Sequence, residues 1–485
     1  VQAAVASAST KIILFCHTEH PFDPSGNRPL QRGEKLECEA GRVFPWRQRV
    51  WLWIWLGWFA LGLALALRSW RATDLNPIRH HPAPECSPCL SGDGRRVAYE
   101  VTRPNSDYQD ICVYDLDSGQ TRILGRDKNE SSQQPRLDKV GRQLVFASFA
   151  SDWVADDANS VSDIFLYDLQ TDQVERLLPP RPVPGLSSSY RPSLAADGRQ
   201  VAFLSYGVPD SGSVRGRNVC LWSRTPDGSQ VRVIPDTFRG RGPVLGAASF
   251  SPGGNRLAFS AFSYDLLPQL RPIQYDLYLV RLHPSAPWPP AEPSIPERMA
   301  QGLGQVTKWA WDSPRLRPLW PVALLSHQPD GGPANANSLE PVLLEEECIF
   351  TSLADNLVAG DHNDCHDIFV RPLTGSGRIE RLTPAANDSS FEPAASSDGR
   401  WVVFTSYASD LVEGDRNGTS DVFLLDRRSR RLQCLSLGGD APSHSPTISE
   451  DGGRIVFVSE ASNLADEPGG RCYLWVRGQP LRRLP

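Results

Sequence analysis

The chain has 485 residues, 40% of them hydrophobic, enough for one large repeat domain or two ordinary ones. Fifty basic residues stand against 56 acidic ones, a net charge of -6, which excludes a broad electrostatic attraction for nucleic acid. Its 38 glycines and 42 prolines follow no collagen period and point to many turns between short strands.

In chain order, residues 1–49 form an N-terminal segment with no assigned structure, of which residues 1–42 are mixed in character, show no apolar period and carry no functional signal. The only methionine is Met299, and Val43 suits a non-Met start, because a charged and then apolar stretch in the order of an export signal follows it. Residues 50–67, VWLWIWLGWFALGLALAL, hold no charge, and at 1.5 Å per residue they just span a bilayer. Trp51, Trp53, Trp55 and Trp58 suit an interfacial belt, and arginines flank both ends, so the stretch reads as a transmembrane helix that anchors the chain. A cleaved signal with Ala64 and Ala66 as its A-x-A site is the alternative, and it would make the protein secreted. A long C-terminal domain is expected outside the cytoplasm, in the periplasm, because such domains translocate largely regardless of charge. Residues 68–87 form a linker.

From residue 88 onward an apolar triplet recurs seven times, ending at Tyr99, Phe146, Phe203, Phe259, Phe350, Phe404 and Phe457. The intervals are 47, 57, 56, 91, 54 and 53 residues, close to the size of a propeller blade except for the fourth. Asp93-Gly94, Asp197-Gly198, Asp398-Gly399 and Asp451-Gly452 precede triplets as hairpin turns, with Gly141 and Gly253-Gly254 in two further copies. A third strand follows each triplet, as in DIFLYD from Asp163 and DVFLLD from Asp421. A fourth ends in Arg-Leu, as at Leu177, Leu382 and Leu484. Seven four-stranded units that cannot bury their faces alone predict an all-β, seven-bladed propeller over 88–485. The Pro-rich, irregular insertion at 283–338 carries the long interval; it is read as a loop plus the last strand of blade four, with a concealed eighth blade as the alternative.

The segments PSLAADGRQVAF from Pro192 and EPAASSDGRWVVF from Glu392 resemble the repeat of TolB-type propellers, and Asp115, Asp168 and Asp426 match the Asp that ends its third strand. The resemblance covers about 88–485 and lies in the repetition. It implies an extracytoplasmic propeller that binds protein partners in the cell envelope. The chain departs from the family's namesake in lacking an α/β domain ahead of the repeats and in having seven copies rather than six.

No G-x-S-x-G nucleophile elbow occurs, and Ser396, Asp398, Gly399 and Trp401 approach a sialidase box with the wrong spacing and read as a hairpin. The nine histidines share no repeat position, which argues against a propeller lyase or hydrolase acting on polysaccharide. The expectation is therefore no catalysis, with a polysaccharide enzyme or a ligand-sensing propeller as alternatives. One polar signal recurs, D-x-N-x-x-x-D, as Asp157, Asn159 and Asp163, as Asp361, Asn363 and Asp367, and as Asp415, Asn417 and Asp421. Hard oxygens at alternating positions suit Ca²⁺, although no copy has the sixth-position glycine or twelfth-position glutamate of an EF-hand. The competing reading is that these side chains cap turn amides. His362, Cys365 and His366 lie in one of these loops only, and the remaining cysteines read as inert buried thiols, with Cys86 and Cys89 close enough in sequence to pair.

Overall fold

A computed structural model describes residues 88–485 except 180–187, 207–216, 235–244, 263–273, 283–321, 330–331, 375–377 and 466–470. The expected anchor at 50–67, its flanks and Cys86 lie outside the described residues.

Seven four-stranded antiparallel sheets are present, each made of consecutive strands in the order one to four. They span 89–124, 132–177, 189–234, 245–324, 338–381, 390–434 and 443–483, numbered here as blades one to seven. Each triplet lies in a second strand, and the seven aromatic residues are at most 2% exposed. The reason is steric: second and third strands are covered on both faces by neighbouring blades, so only a near-continuous apolar run fits there. Phe146 stacks on Phe165, Phe350 on Phe369, Phe404 on Phe423 and Phe457 on Tyr473, with ring centroids 5.7–5.8 Å apart, and each is a directly opposed cross-strand pair. Strand Val322–Leu324 pairs with the third strand of blade four, Tyr275–Arg281, so the insertion ends in that blade's last strand and seven sheets stand among the described residues.

The hairpins between first and second strands turn at Gly94, Gly141, Gly198, Gly254, Gly399 and Gly452, with φ from 65° to 71°. Only the glycine is left-handed there. The preceding Asp braces the turn instead: Asp398 Oδ1 accepts from Ser396 Oγ (2.6 Å) and from the Arg400 amide (3.1 Å). The Asp that ends the third strand acts similarly. Asp168 Oδ1 accepts from the amides of Gln170 (2.8 Å) and Thr171 (3.2 Å), while Oδ2 accepts from Arg142 and Gln143. Those bonds, led by Arg142, hold its carboxyl down at about 2.

First strands pack on the first strands of adjoining blades and surround the axial channel. In blades two, three, five, six and seven they read Ser-x-x-Pro, and the residue before the proline has a φ of 52° to 58°: Gln134, Arg191, Glu340, Glu392 and Ser445. A residue before proline prefers extended backbone, so each of these is a strained bulge held by its surroundings. What holds it, in four of the five, is partly the preceding blade. The Gln134 amide donates to Glu100 Oε1 (2.7 Å), the Arg191 amide to Gln134 Oε1 (2.8 Å), the Glu392 amide to Glu340 Oε2 (2.8 Å) and the Ser445 amide to Glu392 Oε2 (2.7 Å). The result is a row of blade-to-blade bonds on the channel wall at the seams one–two, two–three, five–six and six–seven. In the same five blades the serine that opens the first strand is buried against a serine of the second, Oγ to Oγ at 2.8–3.3 Å.

Blade seven closes on blade one without exchanging a strand. Val456, Val458 and Leu474 pack on Leu90, Val97 and Tyr99, the Glu450 amide donates to Gly92 O (2.9 Å), and Arg454 Nη1 donates to Gly94 O (2.7 Å). Burial pushes the Cys348 and Cys434 thiols up to about 12, as expected for inert ones.

Candidate interaction surface

The three D-x-N-x-x-x-D loops join second to third strands and therefore share one face of the ring with the blade-to-blade connections. In each, the Asn makes the same two bonds. Its Oδ1 accepts the amide two residues on, of Val161, Cys365 or Thr419, at 3.0–3.1 Å, and its Nδ2 donates to the last Asp, Asp163, Asp367 or Asp421, at 2.8–3.1 Å. These are the turn-capping bonds that short polar side chains form locally. All nine predicted residues are thus brought together, three to a loop.

What lies between the carboxylates differs. In blade two Arg176 Nη2 sits 3.0 Å from Asp157 and 2.6 Å from Asp163. In blade five Arg381 contacts Asp361 at 2.6 Å and Asp367 at 3.4 Å. Both arginines face the aromatic residue of the third strand, Phe165 or Phe369, and the register position opposite Phe423 in blade six holds Cys434. The blade-six carboxylates therefore have no guanidinium at that position. Thr383 and Ser436 hydroxyls donate to Asp367 and Asp421 Oδ1, whereas blade two has Leu178 in that place and Asp163 Oδ1 is buried without a hydrogen bond among the described residues. Burial pushes all six carboxyls above their ordinary range. Among the described residues no three His, Cys, Asp or Glu side chains converge as a metal-holding group, His362, Cys365 and His366 included.

A further repeated lock ties each loop to the connection beside it. Asn387 Oδ1 accepts from the Ser409 amide (3.0 Å) while its own amide donates to Asp410 (3.0 Å). Asn129 and Asn335 repeat this in blades two and five, and Asp440 accepts from Ser462 in blade seven. These bonds fix each loop against its neighbour.

Over blades five to seven this face is strongly acidic. Asp355, Asp364, Asp388, Asp410, Glu413, Asp440 and Glu460 are exposed on the segments 353–366, 382–389, 407–420, 435–442 and 460–465, where Arg416 is the only Lys or Arg. None of the seven forms an ion pair among the described residues, unlike Asp117, Asp168 and Asp426 on the opposite, hairpin face, which pair with Arg454, Arg142 and Arg400. Leu437, 48% exposed, stands among them, and Phe391 packs on Tyr407 toward the channel side (centroids 5.5 Å). The charge asymmetry escaped the sequence reading because it appears only once five loops well separated in the chain are folded onto one face.

Fold and surface define a seven-bladed β-propeller with one acidic face. No protein-family model matches the chain, and no curated protein matches it. Among solved structures, it is similar to a puromycin-hydrolysing peptidase of Mycobacterium tuberculosis, at 14% identity and a TM-score of 0.50, covering 82% of this chain and 53% of that one. It is also similar to the β-propeller domain of the Trilobed protease from Pyrococcus furiosus, at 12% identity and a TM-score of 0.48 over 82% and 96% of the two chains. TolB from Acinetobacter baumannii matches at 15% identity and a TM-score of 0.36 over 82% and 77%. The chain spans about half the length of the puromycin-hydrolysing peptidase. These similarities are similarities of fold.

Proposed function

We propose that this protein is a non-catalytic binding scaffold of the TolB-like kind, whose acidic face over blades five to seven docks a basic surface of a protein partner. The observation that carries this reading is the set of seven exposed carboxylates without an ion pair among the described residues, displayed on loops that are hydrogen-bonded to one another and therefore preorganised. Opposed charge of this kind steers encounter and selects partners more than it adds affinity, and it weakens as salt rises. In the same reading the propeller stands outside the cytoplasm, held at the membrane by residues 50–67.

Crosslinking in native membranes, comparing wild type with the Asp388→Asn, Asp410→Asn, Glu413→Gln, Asp440→Asn variant, tests the surface. Partners captured by wild type and lost from the variant, and lost from wild type at about 0.5 M salt, are the expected result. Equal capture by both proteins at both salt concentrations would refute it. Protease added to intact spheroplasts should digest the propeller, and full protection would reverse the topology.

A further inference from the structure

The turns between third and fourth strands lie on the hairpin face, opposite the acidic one. In blades one and two they read LDSGQ (116–120) and LQTDQ (169–173), with Asp117 and Asp172 as their only charges. In blades five, six and seven the corresponding stretches, 373–379, 427–430 and 477–481, hold no Asp or Glu. They carry Arg378, Arg427, Arg428, Arg430 and Arg477 instead, and Arg431 opens the fourth strand of blade six. Blade six, at the middle of the acidic sector, is thus also the middle of a basic cluster on the other face.

The blade-six turn is held at its base and displays its arginines at its tip. Asp426 Oδ1 accepts from the Arg428 amide (3.1 Å) and from Arg400 Nε (3.0 Å), and Arg427 Nη1 donates to Gly399 O (2.7 Å). The carboxylates of that base are taken, Asp426 by Arg400 and Glu347 by Arg427. Arg428, Arg430 and Arg431 are exposed. Arg430 lies 3.5 Å from Glu380, but with 85% and 52% of the two side chains exposed solvent screens the pair, and Arg428 and Arg431 form no ion pair among the described residues. Arg430 also departs from a local preference. Four residues after Asp115, Asp168 and Asp426 the backbone is left-handed, with φ of 71°, 59° and 55°. Blades one and two fill that place with Gly119 and Asp172, types that tolerate it, whereas blade six fills it with an arginine. The bracing bonds of the turn run through Asp426, so the reason for an arginine there lies outside the turn's own bonding.

Resting on the reading of the acidic face as a docking surface, we propose that its basic partner is a second copy of this chain: the arginine turn of blade six in one copy seats on the acidic loops of blades five to seven in the next, and copies stack head to tail. The two patches occupy the same sector of the ring on opposite faces, so displacement along the ring axis sets arginine over carboxylate. Leu437, exposed among the carboxylates, offers the arginine stems an apolar seat. A two-fold pairing of like faces would oppose acid to acid or arginine to arginine. The contact is therefore heterologous, and a stack keeps an unfilled acidic face at one end and an unfilled arginine turn at the other.

The test is sedimentation velocity of the full-length protein in detergent micelles at about 50 mM and about 500 mM salt. Three proteins are compared: wild type, the Asp388→Asn, Asp410→Asn, Glu413→Gln, Asp440→Asn variant, and the variant Arg428→Ser, Arg430→Gly, Arg431→Ser, whose glycine suits the left-handed turn. Wild type should grow in size with concentration at low salt, and its association should weaken at least about tenfold at high salt. Each variant alone should stay monomeric, while their equimolar mixture should form 1:1 dimers and nothing larger, because one complementary pair of patches survives in the mixture. Wild type that remains monomeric at low salt up to about 100 μM, or a mixture without dimers, would overturn the proposal. So would a monomeric wild type that binds phosphatidylglycerol vesicles through the arginine turn, which would assign the turn to an anionic membrane. Capture of other proteins that is lost from the acidic-face variant and kept by the arginine variant, without self-association, would leave the docking reading standing and refute the second copy. Stacks that survive in the acidic-face variant would refute both.

Discussion

Replacing Arg176 by methionine keeps the apolar stem of the side chain and removes the guanidinium from between Asp157 and Asp163. Side chains of all three are at most 8% exposed. At an effective dielectric of about 20, each contact near 3 Å is worth roughly 5 kcal/mol before desolvation, which offsets most of it. What the substitution exposes is the residual: two buried carboxylates without a counter-charge, costing about 3–5 kcal/mol. The loss should depend on pH. Burial already raises both carboxyls above 3.8, and without Arg176 they rise further, so the variant's deficit should be full near pH 8 and shrink toward pH 5 as they take up protons. Urea denaturation followed by tryptophan fluorescence reads this directly, because Trp153 packs against Phe146 and Phe165 in the same blade. A deficit below about 1 kcal/mol, or one of equal size at pH 5 and pH 8, would refute the account of Arg176 as the charge that blade two builds in for itself.

Two further outcomes are expected. Asp168→Asn should flatten the acid limb of the stability curve, because a carboxyl held at about 2 contributes stability that is present above pH 4 and lost as pH falls toward 2; an unchanged acid limb in a pH series of melting curves would contradict the bracing role of that residue. Chelator and millimolar calcium separate the two readings of the polar loops. With guanidinium already between the carboxylates of blades two and five, those loops should contribute no shift in melting midpoint, whereas a calcium-dependent rise abolished by Asp421→Asn would place a cation in blade six.

The ring was legible in the sequence because its signals are local and repeated. Phe146, Phe350, Phe404 and Phe457 mark second strands, the Asp-Gly pairs mark hairpins, and each recurs often enough to outweigh the weakness of a single copy. The polar loops were legible as turns, but their counter-charge was not. Arg176 lies 13 residues beyond Asp163, on another strand, and only the register of Phe165 opposite Arg176 reveals the pairing. The row of bonds on the channel wall was hidden for a stronger reason. A residue before proline is expected to be extended, so Glu340 and Glu392 contradict the local rule, and the recurrence of Ser-x-x-Pro in five first strands was the available clue. Strand Val322–Leu324 was obscured by the insertion ahead of it, since three residues carry too little pattern to stand out.

Each sheet is completed by its own four consecutive strands, and no strand is shared across the join between blades one and seven. Duplicating or deleting one blade's worth of coding sequence would therefore leave every remaining sheet whole, with no strand stranded in search of a partner. A ring that shares a strand across its join must preserve both chain ends together. Here inheritance is free to change the number of units without breaking a sheet.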